Sequence, residues 1–275
     1  MQENNSAQRL DLALNPLAIF EKNELQPLPF QADLMNLEYE GQPANQFIIV
    51  ASRRSGKTSS AGGLCIYRAN QFAESVIVAC PNESHARNFI RVTKQLALGA
   101  GLGSDMLTPK VLELEFKSGG RIHAVQMQRD GAAARGLTGD IILAEEAVLI
   151  EDAAATEALI PILASAKKPK FIAITTAGPK RGWLFDWWAD EEDKDAIRIR
   201  LSAYDVPHID KTWLEKQRRR MTSQAFSREY LAMFGVGDDD SFIEPEILDR
   251  IIQPKGTLNT QGISWRQRQS YNVMI

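Results

Sequence analysis

Four short apolar runs punctuate the chain: Phe47–Ala51, Ser75–Cys80, Asp140–Ala144 and Phe171–Thr175. They are continuous rather than alternating, which predicts strands covered on both faces of a parallel sheet. Helical spacing follows the first two runs, over Lys57–Asn70 and Glu83–Leu98, and returns between the last two over Asp152–Ser165. Val111–Phe116 and Arg121–Gln126 alternate apolar and polar about Ser118-Gly119-Gly120, the pattern of a hairpin inserted at a sheet edge. Strands alternating with helices, joined by right-handed crossovers, predict a three-layer α/β domain.

The flanks read differently. Residues 1–25 are polar and mixed, an arm or a peripheral helix, and Phe30–Leu37 after Pro27 and Pro29 has helical spacing. From about Asp205 the pattern becomes helical, with two helices over Lys211–Tyr230, then a polar acidic turn over Gly235–Asp240. Residues 251–270 are rich in Gly, Thr, Asn and Gln, and read as a linker. Tyr271–Ile275 looks like a strand just beginning, so the natural protein is expected to continue. The division is an arm over 1–25, a core over 26–204, a helical lid over 205–250, and a linker with the start of another domain over 251–275.

Composition narrows the classes. The 275 residues carry a net charge of only -3, so the chain is no passive basic coat, and any nucleic-acid contact must be a local patch. The densest basic segment, Lys211–Arg220 (KTWLEKQRRR), reads first as a solvated helix face and second as a contact to a DNA backbone. Cys65 and Cys80 make no CxxC pair, which fits a reducing compartment. His85, His123 and His208 lack ligand spacing. The polar MQENNSAQRL is no signal peptide, and no apolar run is long enough to cross a membrane.

The chemistry sits at the strand ends. Ala51–Thr58 (ASRRSGKT) fits a phosphate-binding loop with Ala51 in place of the first glycine, between a strand and a helix as such loops require. Backbone N–H groups from Ser52 to Gly56 would face phosphate oxygens, Lys57 would reach the β and γ phosphates, and Thr58 would hold Mg²⁺. Of the two loop arginines, Arg53 and Arg54, one is expected at the γ-phosphate and the other in solvent; spacing does not say which. DIILAEEA then supplies Glu145 on the metal side and Glu146 to orient water. The small-residue loop Gln128–Thr138 carries Arg129 and Arg135, and such a loop can send an arginine into a neighbouring subunit. Thr175 and Thr176 end the last strand, where hydroxyls can sense the γ-phosphate.

Together ASRRSGKT, IILAEEA, ITTAGPKRGWLFDWW and the upstream LPFQ resemble the large terminase subunit of tailed bacteriophages, a DNA-packaging motor. The resemblance implies a RecA-like, ASCE-type phosphate-loop ATPase with a small lid, using ATP and Mg²⁺. It implies adenine recognition by Gln31 with Phe30 nearby, a γ-phosphate role for Arg53, and action in trans by Arg135. Thr175 and Thr176 match its coupling motif. Ala177 and Glu145 depart from it, where the family often has Thr and usually has Asp. The implied partners are double-stranded DNA, a portal protein, a small terminase subunit and further copies in a ring, with the isolated chain a monomer. The implied setting is the host cytoplasm, and a nuclease of RNase H type would follow this chain. Two other functions fit parts of the pattern: a superfamily-2-like helicase, disfavoured by the missing second RecA-like half, and an ATP-binding portal-docking module, which has no need of Glu146.

Overall fold

In the computed structural model, which describes residues 12, 14–128, 131–162 and 169–235, the chain forms a seven-stranded sheet and a separate two-stranded ribbon. Helix α1 (Ala18–Glu21) and α2 (Pro29–Asn36) precede the ribbon of β1 (Glu38–Tyr39) and β2 (Gln42–Pro43). Then come β3 (Gln46–Ala51), α3 (Lys57–Phe72), β4 (Ser75–Cys80), α4 (Glu83–Gly99), β5 (Glu113–Glu115), β6 (Arg121–Gln126) and β7 (Ile141–Glu145). β8 (Lys170–Thr175), α5 (Trp183–Ala189), β9 (Ala196–Leu201), α6 (Lys211–Arg220) and α7 (Ser223–Tyr230) follow. The strand order is β5-β6-β4-β7-β8-β3-β9, parallel except for β5 against β6.

The predicted continuous strands are buried on both faces, as their composition requires. Phe47, Ile49, Val78, Leu143 and Ile172 join the core shared with α3 and α4. Ile48, Val50, Ile77, Ile142 and Ala173 face the opposite core, with Ala154, Leu159 and Leu184. The three-layer expectation and the edge hairpin therefore hold. Because the central strands are parallel, their C-terminal ends share one rim, the usual ligand side of such sheets. Ser52, Glu146 and Thr176 all leave the sheet there.

Four local features differ from the expectation. β9 was not anticipated, because its charges make Ala-Ile-Arg-Ile-Arg-Leu read as surface. It lies at the sheet edge, and the Arg198 guanidinium satisfies backbone carbonyls of Trp187, Trp188, Asp193 and Ala196 at 2.9 Å each. The β1–β2 ribbon was also missed. The helix expected over Asp152–Ser165 contains a wide turn over Ala154–Leu159, in which Ile160 N donates to Ala155 O, five residues back. Pro161 follows it, and a proline has no N–H to continue the regular ladder. Finally, the segment expected as an arm or peripheral helix contributes Ala18, Ile19 and Phe20 to the core. Phe20 lies against Gly63 of α3, where an added Cβ would sit 2.5 Å from its ring.

The two helices expected after Asp205 are present, each capped by a side chain: Asp210 Oδ1 accepts from Thr212 N at 2.7 Å, and Thr222 Oγ1 accepts from Ala225 N at 3.2 Å. Lys211, Lys216 and Arg218–Arg220 are exposed on α6, and only Leu214 is buried, as a solvated face would have it. Arg129, most of the acidic turn, the linker and Tyr271–Ile275 lie outside the described residues. Among the described residues, no helix is long and apolar enough to cross a membrane.

Candidate nucleotide site

β3 hands the chain to the loop at Ala51, and α3 takes it back at Lys57. Between them the backbone must turn back on itself. Gly56 adopts φ +82°, in the left-handed region where only glycine is unstrained, with nothing within 4 Å of a Cβ placed there. Ser55 Oγ donates to Ser52 O at 2.8 Å, and Ser52 N donates to Leu201 O at 2.9 Å, tying the loop to itself and to β9. The Lys57 ammonium folds back onto the loop, donating to Ser52 O at 3.2 Å and lying 4.0 Å from Glu146 Oε1. Burial pushes its pKa down, and Glu146 and Glu145 oppose that. Such an ammonium gains strongly from a phosphate.

Across the rim, Thr58 Oγ1 donates to Glu145 Oε1 at 2.9 Å. Glu145 is buried, and its Oε2 has no hydrogen-bond partner. Burial, then the neighbouring Glu146 charge, raises its pKa to about 7, against the pull of Thr58 and Lys57. A hydroxyl beside an orphaned carboxylate oxygen is a hard-oxygen donor set, and Mg²⁺ binds through one or two carboxylates plus phosphate oxygens rather than a protein cage. The residues present fit that ion.

Glu146 takes φ +49°, unusual outside glycine, which turns its carboxylate away from the strand line and into a cleft. Thr176 N approaches its Oε2 at 3.5 Å, and the Thr175 hydroxyl accepts from Val148 N at 3.2 Å. Thr175 and Thr176 therefore both touch the segment that carries Glu146. That cleft, of about 330 Å³, is lined by Arg53, His85, Glu146, Thr176, Arg228 and Glu229 among others.

The arginines divide in an unexpected way. Arg53 enters the cleft, where its Nε pairs with Glu229 of α7, and its backbone N donates to Glu229 O at 2.8 Å. Arg54 is exposed but not merely solvated: its guanidinium lies 5.7 Å from the Trp213 ring centroid, and its carbonyl is 2.9 Å from His208 Nε2. Both loop arginines thus contact the helical segment after Asp205.

Two anticipated residues lie elsewhere. Gln31 is buried, with Oε1 accepting from Leu28 N and Nε2 donating to Ser60 Oγ, each at 2.6 Å. Ser60 Oγ in turn donates to Gly56 O at 2.9 Å, so Gln31 braces the loop from behind. Arg135 is exposed in a separate hollow with Glu157, Pro161 and Ile162, apart from its own chain's loop. His85, Arg228 and Glu229 were missed: only the Asn82 helix cap gave any local signal near them.

A parallel sheet ending in this loop, with a Thr–Glu pair and a second glutamate along the same rim, is the fold of a phosphate-loop NTPase of RecA-like type. Within that class the chain belongs to the family described as terminase large subunit, T4likevirus-type, N-terminal, which matches residues 48–248. The terminase large subunit of Escherichia phage T5 is 26% identical over 220 residues, covering 78% of this chain and 50% of that protein. The chain therefore spans about half the length of that curated relative. The large terminase ATPase domain of Thermus phage P74-26 has a TM-score of 0.61 at 18% identity, covering 78% of this chain and 96% of that one. The HK97 bacteriophage large terminase gives 0.64 at 15%, covering 76% and 51%. A large terminase from a thermophilic bacteriophage, solved in complex with ATP-γ-S, gives 0.60 at 16%, covering 76% and 53%. These likenesses establish the fold.

Proposed function

We propose that the chain hydrolyses ATP and drives double-stranded DNA into a procapsid. The observation that carries this reading is the pairing of Thr58 with Glu145 beside a second glutamate held in the cleft by Thr176 and Lys57. Pure nucleotide binding needs the first pair only; a base such as Glu146 is what hydrolysis adds. Loop N–H groups and Lys57 hold the triphosphate, and Lys57 exchanges the Ser52 carbonyl for phosphate oxygens. Glu146 orients a water in line with the γ-phosphorus and takes its proton, while Lys57 and Arg53 stabilise the charge on the equatorial oxygens. Thr58 and Glu145 would hold Mg²⁺, which when bound neutralises β and γ oxygens.

The link to movement runs through Arg53. A triphosphate drawing Arg53 away from Glu229 removes an ion pair between the loop and α7, so the phosphate state is felt by the helices after Asp205. Arg135, exposed in a hollow other than the Glu146 cleft, suits donation to a neighbouring copy in a ring. The portal, the small terminase subunit, DNA and the host cytoplasm complete the proposed setting. Phosphate release from Mg-ATP, measured alongside calorimetric nucleotide binding, tests the reading. Glu146→Gln is expected to bind nucleotide but release none. A chain that takes up no nucleotide at millimolar concentration would overturn it.

A further inference from the structure

Arg135 sits at the end of a small, closely tied turn. Ala132–Ala134 form that turn, and Gly131 caps it in the left-handed region at φ +65°. Ala134 N donates to Gly131 O at 2.9 Å, Arg135 N to Ala132 O at 3.2 Å, and Leu137 N to Ala134 O at 3.2 Å. Gly131 and Ala134 are buried, whereas Arg135 is exposed. The turn packs on the wide turn over Ala154–Leu159. A Cβ added at Gly131 would lie 2.8 Å from Ala158 Cβ, 2.9 Å from Met127 Cε and 3.3 Å from Ala154 O. Met127 Cε ends a flexible side chain and can yield; Ala158 Cβ is fixed to a helix backbone and cannot. Ala158 also lines the hollow that holds Arg135, together with Glu157, Pro161 and Ile162.

We infer that Gly131 and Ala158 are positioning residues for Arg135, their close contact seating the backbone from which the guanidinium reaches a neighbouring copy. This rests on the reading of Arg135 as a group donated between copies. A guanidinium serves a γ-phosphate only at hydrogen-bond distance, about 2.7–2.9 Å. An arginine on a slack loop would first have to be ordered, at about 1–2 kcal/mol for each backbone residue fixed. Here that ordering is already done. The three backbone bonds of the turn fix the Arg135 Cα, and only the side chain has to find the phosphate. The fit is close because it is made from the smallest residues. A glycine faces two alanines four positions apart, and the space between them takes no further methyl. Wide turns of this kind are rare and often mark functional sites. Gly131 and Ala158 touch neither nucleotide nor phosphate; they act through where they put Arg135.

Gly131→Ala forces the turn and the helix apart, and a displacement of about 1 Å is enough to cost roughly 100-fold in rate. Phosphate release should fall by about that factor, with calorimetric nucleotide affinity unchanged, because the variant's own nucleotide loop is intact. Ala158→Val crowds the same contact from the helix side, without the backbone strain of alanine at positive φ, and should lower the rate likewise. The decisive readout is mixing. Lys57→Ala protein cannot grip nucleotide but carries a correctly seated Arg135. Mixed with either seat variant, it should raise turnover several-fold above the sum of the two proteins alone. A merely structural lesion would damage the variant's own cleft, and a neighbour could not repair it. Full turnover in both seat variants, slow turnover that mixing does not raise, or weakened nucleotide binding would each overturn the inference. If Arg135→Ala itself kept full turnover, or the wild type released no phosphate, the underlying reading would fail and the seat with it. A slow Arg135→Ala beside fast Gly131→Ala and Ala158→Val would sink the seat alone.

Discussion

Replacing Glu145 by Gln should make the nucleotide-free protein more stable at neutral and alkaline pH. Gln retains an oxygen to accept the Thr58 hydroxyl, so the change removes charge more than shape. The folded state holds the Glu145 carboxyl at about 7, against an ordinary 4.5, chiefly through burial. A raised acid pKa means that the folded chain binds the proton more tightly than the unfolded chain. Below 4.5 both states are protonated and the charge has no effect. As pH rises from 4.5 through 7, ionisation becomes progressively more unfavourable in the folded state, and above 7 the penalty is constant. At about 1.4 kcal/mol per pH unit, the full penalty is about 3 kcal/mol. For a chain of this size that corresponds to roughly 6–12 °C in melting temperature. Urea unfolding of both proteins in EDTA, at about pH 5 and about pH 8, reads the effect. The variant's advantage should be small at the acid end and close to its full size at the alkaline end, and magnesium should narrow it by supplying the missing positive charge. A difference independent of pH, or a variant less stable than wild type in alkali, would refute the assignment of Glu145 as a buried carboxylate whose burial outweighs the help of Thr58 and Lys57.

Gly178→Ala places a methyl 2.1 Å from Val148 Cγ2, and should cost about 1–3 kcal/mol by overpacking. The double variant with Val148→Ala should recover most of that in thermal unfolding, and strict additivity would exclude the clash. Arg198→Ala strips a guanidinium from carbonyls at the end of α5, and should destabilise by about 2–3 kcal/mol in urea, with Arg198→Lys restoring only part. A fully stable Arg198→Ala would show that those carbonyls are satisfied by water. Arg135→Ala should abolish turnover while leaving nucleotide affinity unchanged, and mixing it with Lys57→Ala protein should restore some activity. No rescue in confirmed mixed assemblies would count against action between copies.

What could be read from the chain was what lies close together in it. Continuous apolar strands announced the parallel sheet, and Gly56-Lys57-Thr58 and Glu145-Glu146 carried their chemistry in adjacent positions. Glu145 closes β7 rather than following it, a shift of one residue, because Asp140 sits at the other end capping Ser75 N through Oδ2 at 2.9 Å. β9 stayed hidden because Arg198 looks like a surface charge until the turn before it supplies carbonyls. The cleft was hidden for a different reason. His85, Glu146 and Glu229 come from three unrelated stretches, and only the stacking order of β4 and β7 with the return of α7 brings them together. Gln31 was visible as a residue but not as a brace, since the partner that decides its direction, Ser60, is on another helix.

The contact between Phe20 and Gly63 bears on recombination. The ring fills the space that any larger residue at position 63 would need, on the helix whose first residue is Lys57. A graft that moves the phosphate loop and its helix between relatives, without the residues ahead of β3, would break a matched pair and leave either a steric conflict or a hole. The heritable unit of this domain begins well before its phosphate loop.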